Sequence, residues 1–403
     1  MALAAGLVHI EPAPTAAPAR PAKTGSARPE VEEHETAPAG RKPSATYPPI
    51  HPLVNTPQEH ARAAIDSSPA PAPGAGGPGS IAAAFDRAKA KGSLRVLYAG
   101  TSITCGKGAS SPHKSYFRLT DRGLEDWLKV KVESSNPCYG GAHSLTLLAQ
   151  LKQMSMGFKP DLAIVELGVL DDYMPEFSQG AIESIMRYLL EKRVAAIYVL
   201  PASGESGSKS RGPYRQLAAR YGVPLADMEA YVSARLLWLS RVTTDNCHPN
   251  DLGHKLISEA LIGRLGSARS WTPPAALPER VAAVNFDRAA FHAASKALVL
   301  KAARPVKLIY FASEGGALEA RDEAEIEIRF EGSFVALLFR TGAAAEGVEY
   351  RVDAGEWRPA RSFPEWYINR FLVAGLAAGP HTMGLRLRPG KSPAILDGFL
   401  FER

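Results

Sequence analysis

Ser102 stands where an apolar run ends in a turn, within Val-Leu-Tyr-Ala-Gly-Thr-Ser-Ile-Thr at residues 96–104. Far downstream, Asp245 and His248 lie three apart, followed by the Pro-Asn-Asp-Leu-Gly-His run of residues 249–254. These three residue types are what nucleophilic serine chemistry requires. A serine hydroxyl attacks poorly until an imidazole takes its proton, and the imidazole needs a carboxylate to set its tautomer and stabilise its charged form. A serine at the end of a buried strand is held rigid with its hydroxyl exposed. A base and its orienting acid on one short loop share a fixed geometry. Each half alone is ordinary: a Gly-x-Ser turn after a strand is usually only a turn, and an Asp-x-x-His pair usually begins a helix or closes a loop.

Two further blocks lie between them. Residues 130–148 read as a short strand, a glycine loop and a helix beginning at Ser144, and residues 159–172 read as a buried strand ending in a glycine turn. In this order and spacing the four blocks resemble the SGNH hydrolases, the GDSL-type esterases and lipases, over roughly residues 92–266. The resemblance implies an ester hydrolase with Ser102 as nucleophile, His248 as base and Asp245 as acid. It implies an oxyanion hole built from the N–H groups of Ser102 and of Gly140 or Gly141. It calls for no cofactor.

The third block departs from the family pattern. Gly-x-Asn-Asp is expected, with the asparagine amide as third oxyanion donor, but residues 168–171 read Gly168, Val169, Leu170 and Asp171. Loss of one preorganised donor costs about 3–4 kcal/mol. His143 or Asn136 is the candidate substitute, and Leu170→Asn is expected to raise turnover if the amide alone is missing. The first block reads Gly-Thr-Ser instead of Gly-Asp-Ser, at a position with none of the four chemical roles. Glu166, inside a buried strand, needs a partner. Asp171 and Asp172 read as hydrogen-bonding to loop backbone, and His254 as a brace for the loop of His248.

Three cysteines, Cys105, Cys138 and Cys247, form no disulfide framework, and buried free thiols are the default. On export, Cys138 and Cys247 would be the pair, because they flank the glycine loop and the histidine. Zinc held by the thiols and His248 is disfavoured by the absence of paired CxxC spacing. The apolar stretch Met1–Ile10 lacks the basic start of a signal peptide, and the compartment expectation is extracytoplasmic, with Met1–Ile10 read either as the remnant of a signal sequence or as an unprocessed tail. A hydrophobic fraction of 45% with 22% charged residues is that of a globular chain, not a polar tract. The net charge of +6 is spread without clusters, which argues against nucleic-acid binding. No apolar run reaches the 18 residues or so that a membrane span needs.

The elements that must position these residues follow from texture. Residues 1–79 carry 15 of the 32 prolines and read as a solvated, extended tail, with a single capping-box signal at Thr56. From Ser80 to about residue 270, strands apolar on both faces alternate with helical patterns. That is the signature of a parallel sheet between helix layers, a three-layer α/β/α flavodoxin-like domain. Ligands of such sheets bind beyond the carboxyl ends of the strands, where Ser102, Gly140 and Asp171 all fall. After the proline-bearing stretch from Thr272, residues 278–403 show period-two strands separated by glycine turns. They are expected to form a jelly-roll-like β-sandwich, with Trp357, Trp366 and Tyr367 as candidate sugar platforms or core aromatics. The leading expectation is an esterase removing O-acyl, most plausibly O-acetyl, groups from a carbohydrate. The alternatives are an O-acetyltransferase using the same triad, or a weakened scaffold that only binds polysaccharide.

Overall fold

Ser80 Oγ accepts the Ala83 N–H at 3.1 Å, and Gly92 closes the same helix in the left-handed conformation at φ 75°. Helix α1 (Ile81–Lys91) is therefore bounded by the two residues its sequence marks as caps. The computed structural model describes residues 77–173, 175–204, 208–306, 317–341, 347–360, 369–389 and 394–402, all inside one compact unit, 55–403. The expected tail lies outside them except for residues 77–79, and so does the capping box at Thr56.

From α1 the chain alternates. It runs β1 (Ser93–Ala99), α2 (Tyr116–Leu128), β2 (Lys131–Ser135), α3 (Ser144–Phe158), β3 (Leu162–Glu166), α4 (Pro175–Glu191), β4 (Ala195–Leu200), α5 (Ser208–Tyr221) and β5 (Leu225–Asp227). Two short helices, α6 (Met228–Ser233) and α7 (Leu239–Val242), lead to the His248 loop, and α8 (Asp251–Ser267) closes the region. The strands pair in parallel in the order β2-β1-β3-β4-β5, the flavodoxin-like arrangement. Every residue of β3 and β4 is buried, because α2 packs with α8 while α3, α4 and α5 pack in series. The order reverses between β1 and β3, and the crevice at that switch point receives the loops after β1, β2 and β3.

Helix α5 carries Pro213 in its interior. The Asp172 carboxylate accepts the N–H groups of Lys209 (3.0 Å) and Ser210 (2.9 Å) and caps the first turn of this helix.

The remaining strands are antiparallel: β6 (Ala289–Ala293), β7 (Leu298–Val306), β8 (Ala317–Glu331), β9 (Phe334–Thr341), β10 (Val348–Val352), β11 (Arg358–Pro359), β12 (Asn369–Ala374), β13 (Pro380–Leu387) and β14 (Ala394–Glu402). The long β8 joins two layers: Leu318 to Ala320 pair with β14, and Glu325 to Glu331 pair with β13. Between the layers lies an apolar core that includes Ile326, Ile328, Leu337, Met383, Leu385 and Phe399. Strand β9 is apolar on both faces. Its Val335 and Leu337 fill that core, whereas Phe334, Ala336 and Leu338 join the core of the α/β region. Phe286 meets Phe334 edge-to-face at 5.0 Å.

The chain from Arg280 to Ala289 is tied to the α/β region by long-range bonds. Lys152 Nζ donates to the carbonyls of Asp287 (2.6 Å) and Ala289 (2.7 Å), and Glu183 accepts the N–H groups of Val281 (2.9 Å) and Ala282 (2.8 Å). Asp287 bridges Arg187 at 2.8 Å and Arg280 at 2.6 Å. These bonds are made across long sequence separations that composition does not register. No described helix is long and apolar enough to cross a membrane.

Candidate active site

Strand β1 ends at Ala99, and the chain turns at once through Gly100. A side chain there would put its Cβ 2.0 Å from Thr104 Oγ1 and 2.6 Å from Glu166 Oε2, so the turn requires glycine. The loop then curls back on itself through Cys105 N–H to the Thr101 carbonyl (3.0 Å) and Lys107 N–H to the Ser102 carbonyl (3.0 Å). Ser102 sits half-buried on this curl.

The second loop is a tight hairpin, with Thr243 bridged to Pro249 and Asn246 in the left-handed conformation at φ 62°. Asp245 Oδ1 accepts the N–H groups of Cys247 (3.1 Å) and His248 (2.7 Å), an Asx-type turn. Its other oxygen lies 2.6 Å from His248 Nδ1, and His248 Nε2 lies 2.9 Å from Ser102 Oγ. Partial burial opposes the Asp245 charge, but the hydrogen bonds from the His248 backbone and ring outweigh it and hold the carboxyl below its usual range. An ionised carboxylate only accepts, so Nδ1 carries the ring proton and Nε2 offers its lone pair to the serine hydroxyl.

The glycine loop after β2 hangs from the nucleophile strand, with the Tyr139 N–H on the Gly100 carbonyl at 3.0 Å. Of the doublet, Gly141 takes the left-handed turn at φ 73°, and Gly140 faces the serine: a Cβ added to it would lie 4.0 Å from Ser102 Cβ. Among the described residues, no protein acceptor engages the N–H of Ser102 or of Gly140.

The cysteine expectation is corrected here. Cys105 is bonded to Cys138, and Cys247 is the free thiol. Strands β1 and β2 are parallel neighbours, so the loops leaving their carboxyl ends run side by side, whereas Cys247 belongs to the separate histidine loop. Burial, with the nearby Asp245 and Glu166 charges, pushes the Cys247 thiol up to about 11. No group of residues fit to hold a metal occurs among the described residues.

Leu170 is 6% exposed and belongs to the apolar core. The Asn136 amide donates to the Thr104 carbonyl at 2.9 Å, and His143, buried at the start of α3, sets Nδ1 3.8 Å from Asp171. Asp171 is fully buried and accepts from the Ser144 N–H at 2.8 Å and from the hydroxyls of Ser144 and Tyr214. His254 braces the serine loop instead of the histidine loop. Its Nδ1 accepts the Tyr116 N–H at 3.2 Å, and its Nε2 lies 3.2 Å from the Lys107 carbonyl. Burial lowers its pKa, so the ring is neutral in this role.

The partners of Glu166 are Thr101 and Thr104 on either side of Ser102, a contact that no local pattern signals. Trp357 is engaged by the guanidinium groups of Arg351 (4.7 Å) and Arg386 (4.4 Å) and lies against Gly384. Trp366 and Tyr367 fall outside the described residues. Trp238, which precedes α7, is 65% exposed. A side chain at Gly204 would meet both the next residue, Leu239, at 3.8 Å and Asn246 of the histidine loop at 3.5 Å.

Residues 98–256 match the GDSL-like Lipase/Acylhydrolase family. This stretch is a GDSL-type ester hydrolase domain. No curated protein matches the chain in sequence. Among solved structures, the chain is similar to a two-domain esterase (CEX) active on acetylated mannans, at 20% identity and TM-score 0.68 over 79% of this chain and 93% of that one. The same esterase co-crystallised with mannopentaose matches at 21% identity with the same TM-score and coverage. A catalytic mutant of Axe2, an acetylxylan esterase from Geobacillus stearothermophilus, matches at 19% identity and TM-score 0.36 over 43% of this chain and 94% of that one. The first two share the fold across both the GDSL-type domain and the β region.

Proposed function

We propose that the chain is a serine esterase that removes O-acetyl groups from a carbohydrate. The observation that carries this reading is the continuous relay from Asp245 through His248 to Ser102, with heavy-atom separations of 2.6 and 2.9 Å. His248 Nε2 takes the proton of Ser102 Oγ as the oxygen attacks the ester carbonyl. The N–H groups of Ser102 and Gly140 hold the resulting oxyanion. His248 then returns the proton to the leaving alkoxide, and water repeats the cycle to free the acid. Gly140 is the better member of the doublet because it faces the serine and no acceptor among the described residues engages its N–H.

An acetylated polysaccharide is the substrate class that two observations support. The two-domain esterase with the same fold acts on acetylated mannans. Trp238 also offers a flat apolar face at the edge of the histidine loop, suited to a sugar ring. In this reading residues 1–79 are a tail, 80–270 the hydrolase domain and 278–403 an accessory β domain. Leu170 favours a second reading, a scaffold slowed by its missing donor that binds the polysaccharide without turning it over.

Turnover of 4-nitrophenyl acetate and of acetylated mannooligosaccharide by native protein, Ser102→Ala, His248→Ala and Asp245→Asn separates the two. The esterase reading expects Ser102→Ala and His248→Ala to lose at least about 1,000-fold in kcat, with Asp245→Asn losing least. Native protein no faster than Ser102→Ala, yet retaining affinity for the oligosaccharide, would establish the binding scaffold instead.

A further inference from the structure

Glu166 has no part in the relay of Ser102, His248 and Asp245, yet it is fully buried directly beneath the serine loop. A buried carboxylate is costly unless its acceptor sites are filled. Here they are. Oε2 accepts the N–H groups of Thr101 and Thr104, both at 2.9 Å, and the Thr104 hydroxyl at 2.5 Å. Oε1 accepts the Thr101 hydroxyl at 2.5 Å. The Thr104 oxygen lies a further 2.8 Å from Tyr116 Oη, which extends the cluster into α2. The absent side chain of Gly100 leaves the room in which these groups meet.

We infer that Glu166 is the positioning residue of the nucleophile, a carboxylate clamp that grips the residues on both sides of Ser102 and aims its hydroxyl at His248. The inference rests on the esterase reading of Ser102. Charge-assisted hydrogen bonds are the stronger kind, and four of them on the residues at positions 101 and 104 leave the intervening turn little freedom. The clamp also accounts for threonine at position 101, where the family pattern has aspartate. A second carboxylate against Glu166 would repel it, whereas the threonine hydroxyl donates to it.

Positioning has a kinetic signature that mere stability lacks. The assay is 4-nitrophenyl acetate turnover, with kcat expressed per active site titrated by a fluorophosphonate. Glu166→Met keeps the volume and removes every acceptor, and kcat per titrated site should fall by about 100-fold, as for a reacting group misplaced by an ångström, with KM little changed. Glu166→Gln should recover most of that loss, because its amide oxygen can take the three bonds at the Oε2 position while its NH2 meets the Thr101 hydroxyl. Thr101→Val, which leaves the carboxylate in place, should show a smaller fall in kcat and keeps the test alive if Glu166→Met does not fold.

The clamp is overturned if Glu166→Met has native kcat per titrated site, including the case where fewer sites titrate and each works normally. It is equally overturned if Glu166→Gln falls as far as Glu166→Met. Native protein no faster than Ser102→Ala would sink the esterase reading. The rate at which the fluorophosphonate labels Ser102 in native and Glu166→Met protein would still decide the clamp.

Discussion

At the scale of single residues, the most consequential departure from the family pattern is Leu170. A leucine in place of an amide suggests a vacancy in the oxyanion hole that asparagine would refill. The structure puts that side chain in the core at 6% exposure, between Val169 and the fully buried Asp171. An asparagine there loses apolar contacts and buries an amide without an assured partner, at a cost of about 1–3 kcal/mol. Leu170→Asn is therefore expected to lower the thermal midpoint with no gain in kcat, as differential scanning calorimetry and the ester assay would read. A variant that is both stable and faster would show that the loop can turn position 170 toward the oxyanion. The expectation of a gain, natural from the motif alone, gives way because exposure cannot be read from one residue in a turn.

At the scale of elements, the loops after β1 and β2 act as one unit, tied by Cys105–Cys138 and by the Tyr139 N–H on the Gly100 carbonyl. A native bridge of this kind is worth about 2–4 kcal/mol, and here it also sets Gly140 against Ser102. Thiol titration of the unreduced, denatured protein should find one free group, and in the native state Cys247 should alkylate slowly at pH 8 and faster only as pH approaches about 11. Three titratable thiols would mean the bridge does not form. Cys138→Ser is expected to lower both the midpoint and kcat.

The approach to α7 has a different role. Trp238→Ala should raise KM for acetylated oligosaccharide while leaving KM for 4-nitrophenyl acetate as it was, since only the former can reach a sugar platform. Equal effects on both substrates would remove Trp238 from substrate binding.

At the scale of the whole molecule, the β region is fastened to the α/β region by a dual-natured strand and a polar clasp. Strand β9 serves two cores at once, and Asp287 holds Arg187 and Arg280 together. Removing the shared carboxylate leaves two half-buried guanidinium groups facing each other. Asp287→Ala should cost about 1–3 kcal/mol, visible as a lower calorimetric midpoint. A midpoint within error of the native value would show that apolar packing by Phe286 and Phe334 suffices alone. The shared fold with a two-domain esterase spans both regions, so the clasp joins parts that occur together in that protein too.

What the sequence determined by itself was local or periodic. Ser80 and Gly92 mark the ends of α1 because capping is a matter of a few adjacent residues. The doubly apolar runs at 162–167 and 195–200 identify a covered parallel sheet because burial on both faces erases alternation. The Asp245 and His248 pair is readable because three residues of hairpin fix its geometry. Tertiary structure alone decided which cysteine meets Cys138, since that depends on β1 and β2 being neighbours. It alone supplied the partners of Glu166, which lie 62 and 65 residues away in sequence. It also decided that Leu170 and Trp357 are engaged in packing, and that strands such as β6 and β12 exist at all. Each of these is a contact between distant segments, and a contact of that kind leaves no periodicity or spacing in the chain until the fold brings the segments together.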